Sequence, residues 1–510
     1  MPKQGGGRRM KMKKTLKKGL FRTMALLAAI SCTVSLGGCG VKKENAGKTD
    51  ELKYIMSGPG MQNDCKEVWE GFNKKLAEKV PGVKVDFEII PLSEYKQRFL
   101  LMNSAREKVD IVNNYNLDFY TEVKNGSFIA LDDLLEKYGK ETLAALPGWF
   151  MEYQKADGKI YGIPSYQMCS VLRGVTFIKE QADKYLDTEA FKKALYDTKH
   201  DSKEMYDILE KYMDDLSAAG YKFNGSVKVI NQRGWESLKW PYSIEYGDKN
   251  GKVVNTALCD NAQVRYEVSA RWAKKGYIKK DALTNTTDYK GQTDGVPFWD
   301  VGYTPFIQEK LSKEYGTEVI VIPYYEKDYI GYRNSAGGTS ITSSCKAPEK
   351  AMQVINLLQS DKEMFNLLTF GIEGKHYTKT GEDRIETPYS LQGASTDSYG
   401  LYKWIVGNTE LAYNCPAEPD GYKKWVFEES NKSDYRSPLI GFGLDDTGIA
   451  DYLTQVNYIN EKYYEPLLAG VNDDWKSALK QYKKELEEVG NNEIINEMQK
   501  QVDEFLKTKK

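Results

Sequence analysis

The sequence predicts an α/β fold on a largely parallel sheet, closed by a helical tail. Three observations carry this reading. Strand and helix periods alternate between residues 52 and 112, the pattern of βαβ units. The body after residue 38 has 472 residues, ample for a large core and more than one lobe. Three amphipathic stretches, 448–465, 473–488 and 491–507, end the chain.

In order, Leu52–Met56 reads as a strand and Ser57-Gly58-Pro59-Gly60 as its loop. Asp64 and Glu67 have capping-box spacing, and Val68, Phe72, Leu76 and Val80 recur at helical intervals. Val83, Val85, Phe87 and Ile89 alternate as a second strand. Ser93 is placed to cap a helix through Phe99, and Val109–Val112 is a short buried strand, with Asp110 bonding nearby backbone amides. Helical pieces follow near 117–124, 132–138 and 140–146. A turn and strand end at Pro164, a run from Ser170 to Lys179 begins a new region, and the helix over 203–219 stops at Gly220. Val227–Ile230 reads as a strand and Asp248–Gly251 as a hairpin turn. Helices near 261–275 and 305–315, a strand at Val319–Ile322 and helices from Pro348 and at 361–369 complete the regular pattern. Residues 378–435 are aromatic-rich and weakly periodic.

The N-terminus carries an address. Nine Lys or Arg and no acid stand in residues 1–38, followed by an apolar run from Met24 to Leu36 and by Leu36-Gly37-Gly38-Cys39. That run is shorter than the ~20 residues that span a bilayer. It reads as an export signal over 1–38. Its ending resembles the bacterial lipoprotein signal, which implies lipidation at Cys39 and anchoring at the extracellular face of the cell membrane. Residues 39–50 read as a flexible tether.

Composition excludes several classes. Removing the basic leader takes the net charge from −1 to −10, which argues against nucleic acid as a partner. Five cysteines remain beyond Cys39 (Cys65, Cys169, Cys259, Cys345 and Cys415) with no CxxC, so mostly free thiols are expected. His200 and His376 are the two histidines, and no zinc spacing is present. Gly47-Lys48-Thr49 lacks the preceding glycine of a P-loop, and the 248–251 turn lacks calcium-ligand spacing. No metal and no cofactor are expected. No GxSxG or catalytic Cys/His signature occurs; a glycosidase would need two placed carboxylates, which 73 acidic residues neither specify nor forbid.

Several blocks carry a resemblance: Val109-Asp110-Ile111, residues 157–164, the Ser340-to-Pro348 entry to a helix pair, and Phe370-Gly371-Ile372-Glu373-Gly374-Lys375-His376-Tyr377. With Ser437–Phe442 and the helical tail, they resemble the family 1 extracellular solute-binding proteins of ABC importers, in the large lipoprotein branch of Gram-positive bacteria often linked to oligosaccharide uptake. The resemblance implies a two-lobed, periplasmic-binding-protein-like (type II) fold with ligand in the cleft and Tyr161–Tyr166 and Tyr332–Gly338 as crossings. Lobe 1 would take 51–165 and 336–400, and lobe 2 would take 166–335 and 401–510. It further implies a monomer that captures a carbohydrate, without catalysis, for permease subunits and a cytoplasmic ATPase. Peptide or ferric iron are the other solutes weighed.

A sugar site needs flat rings for C–H faces and directed polar groups for hydroxyls. Loops at expected strand ends supply Asn63 and Asp64, Asn114 and Tyr115, Tyr166 and Gln167, Gln232 with Trp235 and Trp240, and Trp299 with Asp300. Glu373 and His376 are read as holding loop geometry near the hinge.

Overall fold

A computed structural model describes residues 49–509, apart from 171, 224–228, 230–232, 280, 282, 284–295, 334–336 and 388–397. The signal, Cys39, the tether to residue 48, Gln232 and almost all of the expected strand at 227–230 lie outside the described residues.

A five-stranded sheet organises the first lobe. Its order is Val83–Pro91, Asp50–Gly58, Ile111–Asn113, Gly338–Ile341, Ile163–Pro164. The first three strands run parallel and the last two join antiparallel. The alternating apolar pattern of Val83–Ile89 buries one face against Val68, Phe72 and Leu76 of the helix Cys65–Lys79. On the other face Ile55 and Val112 pack against Tyr95 and Phe99 of the helix Tyr95–Ser104. With apolar cover on both faces, the central strands read as continuous hydrophobic runs. Asp110 accepts the Lys53 backbone N–H at 2.8 Å, from the neighbouring strand.

Two cores follow. Arg173–Ile178 lies between Trp299–Gly302 and Val319–Pro323 in an antiparallel sheet, under helices including Lys203–Ala218 and Asp260–Lys274. A hairpin, Trp235–Lys239 with Tyr242–Glu245, extends across the 248–251 turn to Val254–Asn255 and packs on the terminal helices Ala450–Leu468, Trp475–Glu488 and Asn491–Thr508.

Some expectations change. Neither expected N-cap forms: Ser93 lies outside its helix, and the Asp64 carboxylate makes no capping bond because it is engaged elsewhere. Residues 401–427 were expected in the second lobe. Leu401, Ile405, Val426 and Phe427 instead join the first core, and after this segment the chain returns to the third core at Leu439. A third crossing was not foreseen. Ser170 pairs with Ile330, and Ile330 pairs with Arg436, so three segments run side by side between the lobes.

Glu236, on the hairpin, ties the second and third crossings to the second lobe. This buried carboxylate accepts Tyr329 Oη at 2.9 Å, the Tyr332 N–H at 2.5 Å and Ser437 Oγ at 2.5 Å. Burial raises its carboxyl above the ordinary range, against these bonds. Asn431 holds the first crossing to the third, accepting the Cys169 N–H at 2.9 Å and donating to Gln167 O at 2.8 Å.

Candidate functional site

A cavity of about 350 Å³ opens where the crossings leave the first lobe. Gln167–Ser170 and Arg333 come from the crossings; Lys403, Trp404, Tyr422 and Phe427 come from the 401–427 segment. The volume is within the range of small-molecule sites.

Its aromatic wall is built on a short helix, Lys403–Val406. Ile405 and Val406 of that helix enter the first core, and Trp404 remains half-buried at the cavity. Trp404 stacks on Tyr402 (centroids 5.5 Å, 23°) and meets Tyr115 edge-on at 4.8 Å. From the second lobe, Phe306 reaches Tyr422 (6.1 Å) and Trp425 (6.2 Å) at the rim. Rings supported behind and open in front can stack on the C–H face of a sugar.

The polar groups are paired. Lys403 is ion-paired with buried Glu418, whose other oxygen accepts the Cys415 N–H at 3.0 Å. Lys423 is 2.7 Å from Asp383. Arg333 donates to Leu238 O at 2.7 Å and lies over the Tyr332 ring. Burial raises the Cys169 thiol far above its ordinary range, so it remains a neutral thiol at the cavity edge.

The site residues expected from sequence separate. Gln167 lines the cavity and Tyr115 touches its wall. Asn114 is buried and consumed: Nδ2 donates to Gln154 and Ser340, and Oδ1 accepts the Gly338 N–H at 2.6 Å. Gly337 makes this possible, because at φ 66° a Cβ there would lie 2.9 Å from the Asn114 Oδ1 and the Tyr115 backbone. Tyr166 is a core ring between Phe150 and Phe427. Asn63 is exposed.

Asp64 serves the 371–376 loop. Ile372 N–H donates to His376 Nδ1 at 2.8 Å, so the proton sits on Nε2, which donates to Asp64 at 3.1 Å. This bond, with Lys375, lowers the Asp64 carboxyl below its ordinary range. Gly371, at φ 82°, leaves room for the ring, since a Cβ would stand 2.4 Å from Nδ1. His376 therefore holds loop geometry, as its motif suggested, while Glu373 pairs with Lys379.

The second-lobe residues sit elsewhere. Trp240, at the hairpin tip, packs edge-on against Tyr464 and is 40% exposed. Trp235 stacks on His200 at 4.5 Å. Trp299 packs on Tyr315, whereas Asp300, on the opposite strand face, is held by Arg173 and Tyr324. None of these lines the cavity. Sequence reasoning missed Trp404, Tyr422 and Glu418. Their one signal was the aromatic density of 378–435.

Among the described residues the cysteines are free, no group of three metal-ligating side chains occurs, and no helix is long and apolar enough to cross a membrane.

A family model described as a domain of unknown function (DUF3502) matches residues 438–507, which form most of the third core. A carbohydrate ABC transporter substrate-binding protein from Streptococcus pneumoniae is 25% identical over 502 residues, covering 96% of this chain and 97% of that protein. The N-glycan transport solute-binding protein NgtS of S. pneumoniae superposes with a TM-score of 0.69 at 22% identity, covering 90% of this chain and 100% of that one. Its complexes with Man1GlcNAc and Man5GlcNAc score 0.60 and 0.56 over the same share of this chain. Relatives of both kinds are substrate- or solute-binding proteins. The chain is built on the two-lobed fold of these solute-binding proteins.

Proposed function

We propose that this protein captures an oligosaccharide outside the cell and delivers it to an ABC permease driven by a cytoplasmic ATPase. The observation that carries the reading is the cavity at the crossings, where Trp404, Tyr422 and Phe427 stand beside hydrogen-bonding groups held in fixed pairs. Rings and directed polar groups on one wall suit the two surfaces of a sugar. Substrate-binding and glycan-complexed relatives support the same class.

Ligand bridging the lobes shifts their population toward a closed arrangement. Lipidation at Cys39 holds the monomeric receptor near its permease. Isothermal calorimetry against a glycan panel tests the reading. Saturable binding with the glycan recovered unchanged supports it; turnover, or no binding to any glycan, rejects it. Mass-spectrometric detection of diacylglycerol on Cys39 tests the anchor, and an unmodified N-terminus there rejects it.

A further inference from the structure

The cavity has three lining cations, and each has a counter-charge within the protein. Lys403 is paired with Glu418. Lys423 is paired with Asp383, which also takes Lys362 at 2.7 Å, while Glu410 lies within electrostatic reach of Lys423. Arg333 lies within electrostatic reach of the buried Glu236. The wall is thus rich in donors and acceptors but carries little net charge. Around it, the body from Cys39 onward is strongly acidic, at −10.

We propose that this cavity selects uncharged glycans and that Glu418 sets the selectivity by neutralising Lys403 at the wall. The inference rests on the glycan reading above. A uronic acid or other carboxylate-bearing sugar must shed its water to enter. Inside, it meets cations already neutralised by nearby carboxylates, so attraction and repulsion largely cancel. On approach it also faces an acidic body. A neutral sugar has no such penalty, and it meets ammonium and carboxylate groups pre-oriented for its hydroxyls. Glu418 is the determinant because it is buried and fixed from two sides, by Lys403 and by the Cys415 N–H. Lys403 keeps donors for ligand while paired, since an ammonium has three.

The test is calorimetry with matched probes: Man1GlcNAc against its analogue with mannuronic acid in place of mannose, and neutral gluco- and galacto-oligosaccharides each against a uronic-acid counterpart. The native protein is expected to bind the neutral member of a recognised pair at least about tenfold tighter. In Glu418→Gln the side-chain oxygen still accepts the Cys415 N–H, while the amide repels Lys403 and leaves its charge unbalanced. That variant is expected to shift the acidic-to-neutral affinity ratio about tenfold toward the acidic member. Lys403→Gln leaves Glu418 unbalanced and is expected to shift the ratio the other way, which keeps the test open should Glu418→Gln fold poorly. Equal affinity for both members in the native protein, or an unchanged ratio in a folded variant, overturns the proposal. Silence toward every glycan overturns the glycan reading, and the selectivity falls with it.

Discussion

Two aromatic stretches of similar composition do opposite jobs. The segment 402–427 and the hairpin 235–245 each mix Trp and Tyr with Lys and Glu. In the first, the apolar side chains Ile405, Val406 and Val426 anchor the backbone in the first core, and the rings of Trp404 and Tyr422 face the cavity. In the second, Trp235 stacks on His200 and Trp240 packs edge-on against Tyr464, neither lining the cavity, and the carboxylate of Glu236 turns inward to hold two crossings. Both sets of rings pack on neighbours; an aromatic becomes available to ligand where its remaining face borders a cavity, and that depends on the neighbours in space.

The largest effect expected from this contrast is on stability. Glu236→Leu strands three donors in a buried place and is expected to cost about 3 kcal/mol in denaturant unfolding. Unchanged stability would mean the crossings are pinned by other contacts. Next, Trp404→Ala is expected to cost about 2 kcal/mol of glycan affinity by calorimetry, and about 1 kcal/mol of stability because the half-buried ring also packs on Tyr402 and Tyr115. Native affinity in that variant would move the contact wall elsewhere. Trp240→Ala is the converse control. Losing the ring pair with Tyr464 is expected to cost about 1 kcal/mol of stability and no affinity. A weakened glycan affinity would return the hairpin tip to the site.

The smallest effect is electrostatic. Asp445 pairs with Lys124 from the first lobe at 2.8 Å, and this bond lowers its carboxyl to about 2. A carboxylate lowered on folding contributes stability that is complete above its unfolded pKa of about 3.9 and is lost as pH falls through about 2. Both partners are well exposed, so a few tenths of a kcal/mol are expected. Acid unfolding of Lys124→Ala compared with the native protein measures it, and identical profiles at low salt would remove the pair from the account.

Much of the scaffold was legible. The strand at 52–56, the alternating strand at 83–89, the helix stopping at Gly220 and the three terminal helices follow from local pattern and breakers, which act over one or two turns. Gln167 and Tyr115 come to the cavity and its wall because loops beyond strand ends gather at one edge of an α/β sheet. Asn114 and Asp64 stood in the same loops, but amides and carboxylates bond whatever donor comes near. Gly338 and His376, more than 200 residues away, claimed them. Trp404 lay in a segment without periodicity, and no local pattern announces which ring will face a cavity.

From the sequence alone come the export address, the acidic body, the α/β class and the solute-binding resemblance, because each rests on composition, local period or contiguous motif. Only the tertiary structure decided that 401–427 belongs to the first lobe and that a third crossing joins the other two. It also decided that Glu418 rather than a ligand answers Lys403. Those facts depend on residues far apart in the chain meeting in space. Burial then makes each meeting consequential, since an unpaired charge or amide removed from water is too costly to leave alone.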